Sequence, residues 1–109
     1  MLMICAEETE PVGPAEHRAM PEFITYAEQT ERMGVRRGGN RLRPSSDATT
    51  VHVRDGEIMI TDGPFAETKD QMGGYDLIEC ADLDSAIEIA ALHPVAKVGR
   101  IEIRPLWDE

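Results

Sequence analysis

Thr50-Val-His-Val-Arg54, Asp55-Gly56 and Glu57-Ile-Met-Ile-Thr61 form the continuous stretch on which the fold turns. Apolar and polar residues alternate with period two on both sides of Asp55-Gly56, a dipeptide that accepts the left-handed conformations of a tight two-residue turn. A β-hairpin follows. Val51 and Val53 point one way together with Ile58 and Ile60 of the returning strand, and His52, Arg54 and Glu57 are expected to face solvent.

Upstream, Met1 to Ala6 reads as a buried strand and Glu7 to Gly13 as a loop. Met20, Phe23, Ile24 and Ala27 recur at helical spacing, and the pattern runs to Met33 before Gly34 offers a C-terminal stop. Pro14 suits a first helical position. Pro21 removes a backbone hydrogen bond if it lies inside a helix, so either the helix kinks there or its regular part begins there. Val35 to Arg43 reads as a short, irregular strand and Pro44 to Ala48 as a polar connection.

Downstream, Asp62 to Gly74 has the composition of a loop, and Tyr75 to Cys80 returns to strand character. Asp82 can cap a helix whose Leu83, Ala86, Ile87 and Ala90 form an apolar stripe, and His93-Pro94 ends it. Arg100 to Leu106 supplies the last strand. The order strand, helix, strand, hairpin, strand, helix, strand predicts an α+β fold, a ferredoxin-like split β-α-β arrangement with an inserted hairpin. Two helices cover one face of such a sheet, so the other face needs a partner; a second copy, and hence a homodimer, is expected.

A chain of 109 residues is one domain, residues 1–109, and its 41% apolar content is ordinary for a globular protein. No apolar run approaches the roughly 18 residues of a membrane span, and the N-terminal apolar stretch lacks the layout of a secretory signal. Cys5 and Cys80 suggest neither a disulfide framework nor a metal knuckle, and read as reduced thiols in the cytoplasm. The formal charge of −10 would repel nucleic-acid phosphates. Arg36, Arg37, Arg41 and Arg43 form a basic cluster that either meets a small anion or pairs with nearby carboxylates, and pairing is favoured.

Asp62-Gly-Pro-Phe-Ala-Glu-Thr-Lys-Asp-Gln-Met-Gly-Gly-Tyr75 resembles the signature of the YCII-related family named after Asp-Gly-Pro-Phe. The resemblance extends to the opening strand, the hairpin, Asp82-Leu83-Asp84 and the closing Glu102-Ile-Arg104-Pro105. It implies a dimeric α+β barrel in which, in related proteins, a His and an Asp act in a cleft. One branch of the family is similar to chloromuconolactone dehalogenase, and members often accompany extracytoplasmic-function sigma factors.

In the signature, Gly63 permits an unusual turn, Pro64 stiffens it, and Phe65 is expected to plug an apolar pocket that fixes the loop. Asp62 either accepts loop amides, the favoured role, or faces a cleft as proton acceptor. Glu67, Lys69 and Asp70 line the same opening or are merely solvated, and Tyr75 either packs or meets a ligand near Gly73-Gly74. Among the histidines, His17 is the candidate for proton transfer, at the start of the first helix, where the resemblance places a polar cleft residue. His52 and His93 read as exposed or structural. No His or Cys pair has metal spacing, no axial histidine suggests haem, and no cofactor fingerprint is present. The expected function is binding or transformation of a small organic molecule, with Asp62 and His17 as acid and base and Phe65, Glu67, Lys69 and Tyr75 as ligand contacts. The alternative is a non-catalytic ligand- or protein-binding module.

Overall fold

A computed structural model describes residues 1–108. Strand β1 (Leu2–Glu7) leads into helices α1 (Pro14–Arg18) and α2 (Pro21–Met33), then β2 (Arg36–Arg41), β3 (Thr49–Arg54), β4 (Glu57–Asp62), β5 (Asp70–Ile78), helix α3 (Leu83–Ala91) and β6 (Arg100–Ile103). Four strands form one sheet in the order β2-β5-β1-β6, every neighbour antiparallel, which is the ferredoxin-like arrangement. Pro21 resolves as the first residue of α2, where its missing N–H costs nothing, and Ala19-Met20 separate it from the short α1.

Strand β5 begins at Asp70, well before the strand expected from Tyr75. Gly73 is the reason: Ile4 pairs with Gly74 and Cys5 with Met72, so Gly73 is the extra residue of a bulge inside a continuous strand, not part of a loop. Alternation then puts Asp76 on the face where Leu2 is fully buried, its direct cross-strand neighbour, and Tyr75 on the opposite face. The core is small. Leu2, Ile89 and Ala90 are buried, with Val35, Ile78, Ile101 and Ile103 packed around them.

Helix α3 is capped as expected, with Asp82 Oδ1 accepting the Ser85 amide at 2.8 Å. That bond, helped by the Ser85 hydroxyl, holds the Asp82 carboxyl below its usual range. The apolar stripe is different from the one expected. Ala86, Ile89 and Ala90 face the sheet, whereas Leu83 and Ile87 are exposed. Both sets obey helical spacing, and contact with the sheet selects the one that begins a turn later.

The hairpin forms in the expected register, Val51 opposite Ile60 and Val53 opposite Ile58, around Asp55 (φ 52) and Gly56 (φ 78), a pair of left-handed residues that makes a type I′ turn. It is a separate two-stranded sheet, and the apolar side chains of Val51, Val53, Ile58 and Ile60 all lie exposed, Ile58 at 70%. No other described residue of the chain covers them. The molecule is accordingly extended, 49 × 37 × 22 Å. Among the described residues no helix is long and apolar enough to cross a membrane.

Candidate functional site

The buried polar centre of the molecule is Asp76, 6% exposed. A carboxylate in such a place is tolerable only when hydrogen-bonded. Tyr26 Oη donates to its Oδ2 at 2.8 Å, and Arg36 Nε donates to its Oδ1 at 3.2 Å. Helix α2 carries Tyr26 to this point because Phe23, Tyr26 and Thr30 share the face turned to the sheet, with Tyr26 and Thr30 buried. Burial, then the hydrogen bond to Asp76, drives the Tyr26 phenol far above its ordinary range, so it remains a donor.

Room for the carboxylate comes from Gly39, directly across the strand pair from Asp76. Its φ is 143, and a Cβ there would stand 2.5 Å from the Tyr75 carbonyl oxygen and run into Asp76 Oδ1. Only glycine fits.

Against the Tyr26 ring lies His93, 5% exposed, with ring centroids 4.6 Å apart at 66°. Its Nδ1 accepts the Val95 amide at 3.1 Å, which assigns the proton of the neutral imidazole to Nε2. Among the described residues its Nε2 has no hydrogen-bond partner. Phe23 packs edge-on against His93 (5.7 Å) and is itself tilted over His17 (4.2 Å). Burial lowers the pKa of both imidazoles. Arg41 and Arg18 push His17 further down; for His93 the Asp76 carboxylate opposes the fall, and the nearby His17 adds to it. Both are neutral near pH 7, the half-buried His17 and the buried His93, and both pack against the Phe23 ring.

The residues expected from sequence are distributed differently. Asp62 ends β4 and is exposed; among the described residues its carboxylate accepts no loop amide, and the turn is held instead by Gly63 N–H to Ala48 O (2.7 Å) and Thr50 Oγ1 to Gly63 O (2.8 Å). The turn-holding role therefore belongs to backbone and Thr50. Phe65, 91% exposed, plugs no pocket within the chain. Glu67 is exposed, and Tyr75 is half-buried on the sheet face away from the helices. Lys69, with Glu7, Thr68, Asp70 and Arg100, borders a shallow depression of about 620 Å³, across which Arg100 Nε meets Asp70 Oδ2 at 2.9 Å. A second depression of about 420 Å³ lies under Pro64 at the hairpin base, beside Leu42, Pro44 and Met72. Of the proposed pair, His17 lies on the histidine and tyrosine line, and Asp62 is not among the groups that touch or perturb it.

Tyr26, Asp76 and His93 escaped the sequence reading. Asp76 alone left a usable trace, an acidic residue inside the apolar run Tyr75-Asp-Leu-Ile78, whose burial requires a donor elsewhere. His93 was expected to be an exposed or structural helix end and is a buried member of the cluster. No group of three or more His, Cys, Asp or Glu among the described residues gathers as a ligand set for a metal. The cysteines are free and half-buried; at Cys5 burial, then Glu102 and Asp70, raise the thiol pKa.

A family model described as the YCII-related domain matches residues 1–109. The chain belongs to the YCII-related family. An uncharacterised protein of Rhizobium meliloti is 44% identical over 68 residues, which is 61% of this chain and 55% of that protein. The present YCII-related chain thus spans about half the length of the curated relative it matches.

Proposed function

We propose that this YCII-related protein binds a small organic molecule over the Phe23 ring and moves a proton from one of its atoms to another, with His17 taking and returning the proton and His93 Nε2–H donating a hydrogen bond. The observation that carries the reading is the pair of imidazoles packed against one aromatic ring, the inner one braced by Tyr26 and, through it, by Asp76 and Arg36. Two neutral imidazoles divide the work in one encounter: His17 accepts the proton and passes it back to another atom of the same molecule, while His93 keeps its Nε2 proton and polarises an oxygen through the hydrogen bond it donates. Tyr26 and Asp76 are positioning residues.

The site is completed by a second copy of the chain in this reading. Support comes from the uncovered apolar side of the hairpin and from Phe65 and Trp107, each 91% exposed. Docking the hairpin on a partner buries that surface and carries Asp62, at its end, into the assembly, so Asp62 serves the partner's site and not its own. A second reading, a non-catalytic binding module, is favoured by the shallowness of both depressions in the single chain.

A metabolite thermal-shift screen on the full chain identifies a ligand through the rise in melting temperature that native-state binding produces. His17→Gln, His93→Gln and Asp62→Asn are then compared for binding and turnover with that ligand. Loss of turnover with retained binding in the histidine variants supports proton transfer. Retained binding with no turnover in the wild type supports the binding module, and a ligand that binds all variants equally removes the site.

A further inference from the structure

The four arginines of the basic cluster do not share one fate. Arg36 pairs with Asp76 at 3.2 Å, Arg37 with Glu79 at 3.1 Å and Arg43 with Asp47 at 2.8 Å. Arg41 differs: its Nη2 donates to the Val12 carbonyl at 2.6 Å and it meets no carboxylate among the described residues. Val12 precedes Gly13, whose carbonyl accepts the His17 amide at 2.9 Å, so this bond fixes the guanidinium beside the first turn of α1. Arg18, the next residue along α1, is likewise free of any carboxylate among the described residues and is exposed. Two guanidinium groups with no carboxylate partner among the described residues therefore lie near enough to act on the imidazole of His17, in a chain whose formal charge is −10.

A strongly acidic chain that leaves two arginines unpaired beside its proton acceptor has made a local exception to its own field. The N–H groups of Arg41 not used by Val12 lie in a planar fork, which matches the two oxygens of a carboxylate, and the half-buried Phe23 ring packed on His17 offers an apolar wall. Resting on the site proposed above, we infer that its substrate is a small organic carboxylate, held by Arg41 and Arg18 with its apolar part against Phe23. Arg41 is then the specificity-determining residue and Arg18 an electrostatic aid. A bound carboxylate also offsets the positive surroundings of His17, making the imidazole a better proton acceptor in the complex than in the free chain.

The test uses the full-length protein with ¹³C-labelled histidine, titrated at constant ionic strength with benzoate and with its neutral isostere benzamide. His52, out on the hairpin, reports non-specific effects. Benzoate is expected to shift the His17 imidazole resonances saturably, with benzamide and His52 giving no comparable response. Arg41→Gln should weaken benzoate roughly tenfold, the loss of one charge-assisted contact, and Arg41→Lys should restore part of it. Arg18→Gln, which leaves the Val12 bond intact, should weaken it less, and Arg43→Gln should leave it unchanged. Equal affinity for benzamide, an Arg41→Gln variant that folds and binds as wild type, or no response of His17 to benzoate at millimolar concentration each overturn the inference. Equal binding of both probes at His17 removes the anion preference and leaves the small-molecule site standing, whereas the site itself fails only in the histidine-variant comparison.

Discussion

Replacing Tyr26 by Phe removes one oxygen from the centre of the molecule and little else. The ring still packs on His93, but Asp76 Oδ2 loses the donor at 2.8 Å and is left with Arg36 on the other oxygen, at 3.2 Å. A hydrogen bond to a charged group contributes about 1.5–3 kcal/mol, and the orphaned acceptor is buried, so the cost should fall in that range. For a domain of this size each kcal/mol moves the melting temperature by about 4 °C, which gives a drop of roughly 6–12 °C. Urea and thermal denaturation followed by circular dichroism measure both quantities. Asp76→Asn keeps an acceptor and lowers the demand on Tyr26, so the double variant should cost less than the sum of the two single ones, a coupling of about 1 kcal/mol or more. A Tyr26→Phe protein within about 0.5 kcal/mol of wild type, or strict additivity with Asp76→Asn, would refute the claim that the phenol holds the carboxylate.

Gly39→Ala drives a methyl group against the Tyr75 carbonyl, Asp76 and Arg36 at a positive φ, and should destabilise by about 1–3 kcal/mol in the same denaturation assay. His93 has a folded-state pKa below its unfolded value of about 6.5, so the unfolded chain binds the extra proton and stability should fall as pH drops below that point. His93→Gln should flatten the decline between about pH 6.5 and pH 5, leaving the steeper acid loss below about pH 4.5, where Asp82 and Glu8 protonate. Wild-type protein should run as a dimer in size-exclusion chromatography with light scattering, and Ile58→Lys, on the exposed hairpin face, should shift it toward monomer without unfolding the chain; a wild-type monomer at micromolar concentration sinks the proposed assembly.

What could be read in advance followed from local physics. The hairpin turn, the Asp82 cap and the first helical position of Pro14 each depend on residues within a few positions of one another, where conformational preference decides the outcome. Gly73-Gly74 misled because a glycine pair has the composition of a loop, yet here it bulges a central strand. Leu83 and Ile87 misled because spacing defines a stripe without saying which of two overlapping stripes meets the sheet. The site was harder still. Tyr26, Asp76 and His93 come from a helix, a strand and a turn far apart in the chain, and only the β1–β5 pairing under α2 brings them together. The place of His17 in the first helix was legible, but its contact with Phe23 and its proximity to Arg41 were not. Asp62 stood out through the signature, and in the folded chain it sits at the base of the hairpin, paired with Thr49, and is not among the groups that touch His17.

Two neutral imidazoles packed against Phe23 are the centre of the proposed site, and NMR titration of the histidine side chains of the intact protein between about pH 5 and pH 8 examines them directly. Midpoints for His17 and His93 below the free-imidazole value of about 6.5, with His93 in the Nε2–H form, are the predicted result. Midpoints at or above that value, or a proton on His93 Nδ1, would contradict it.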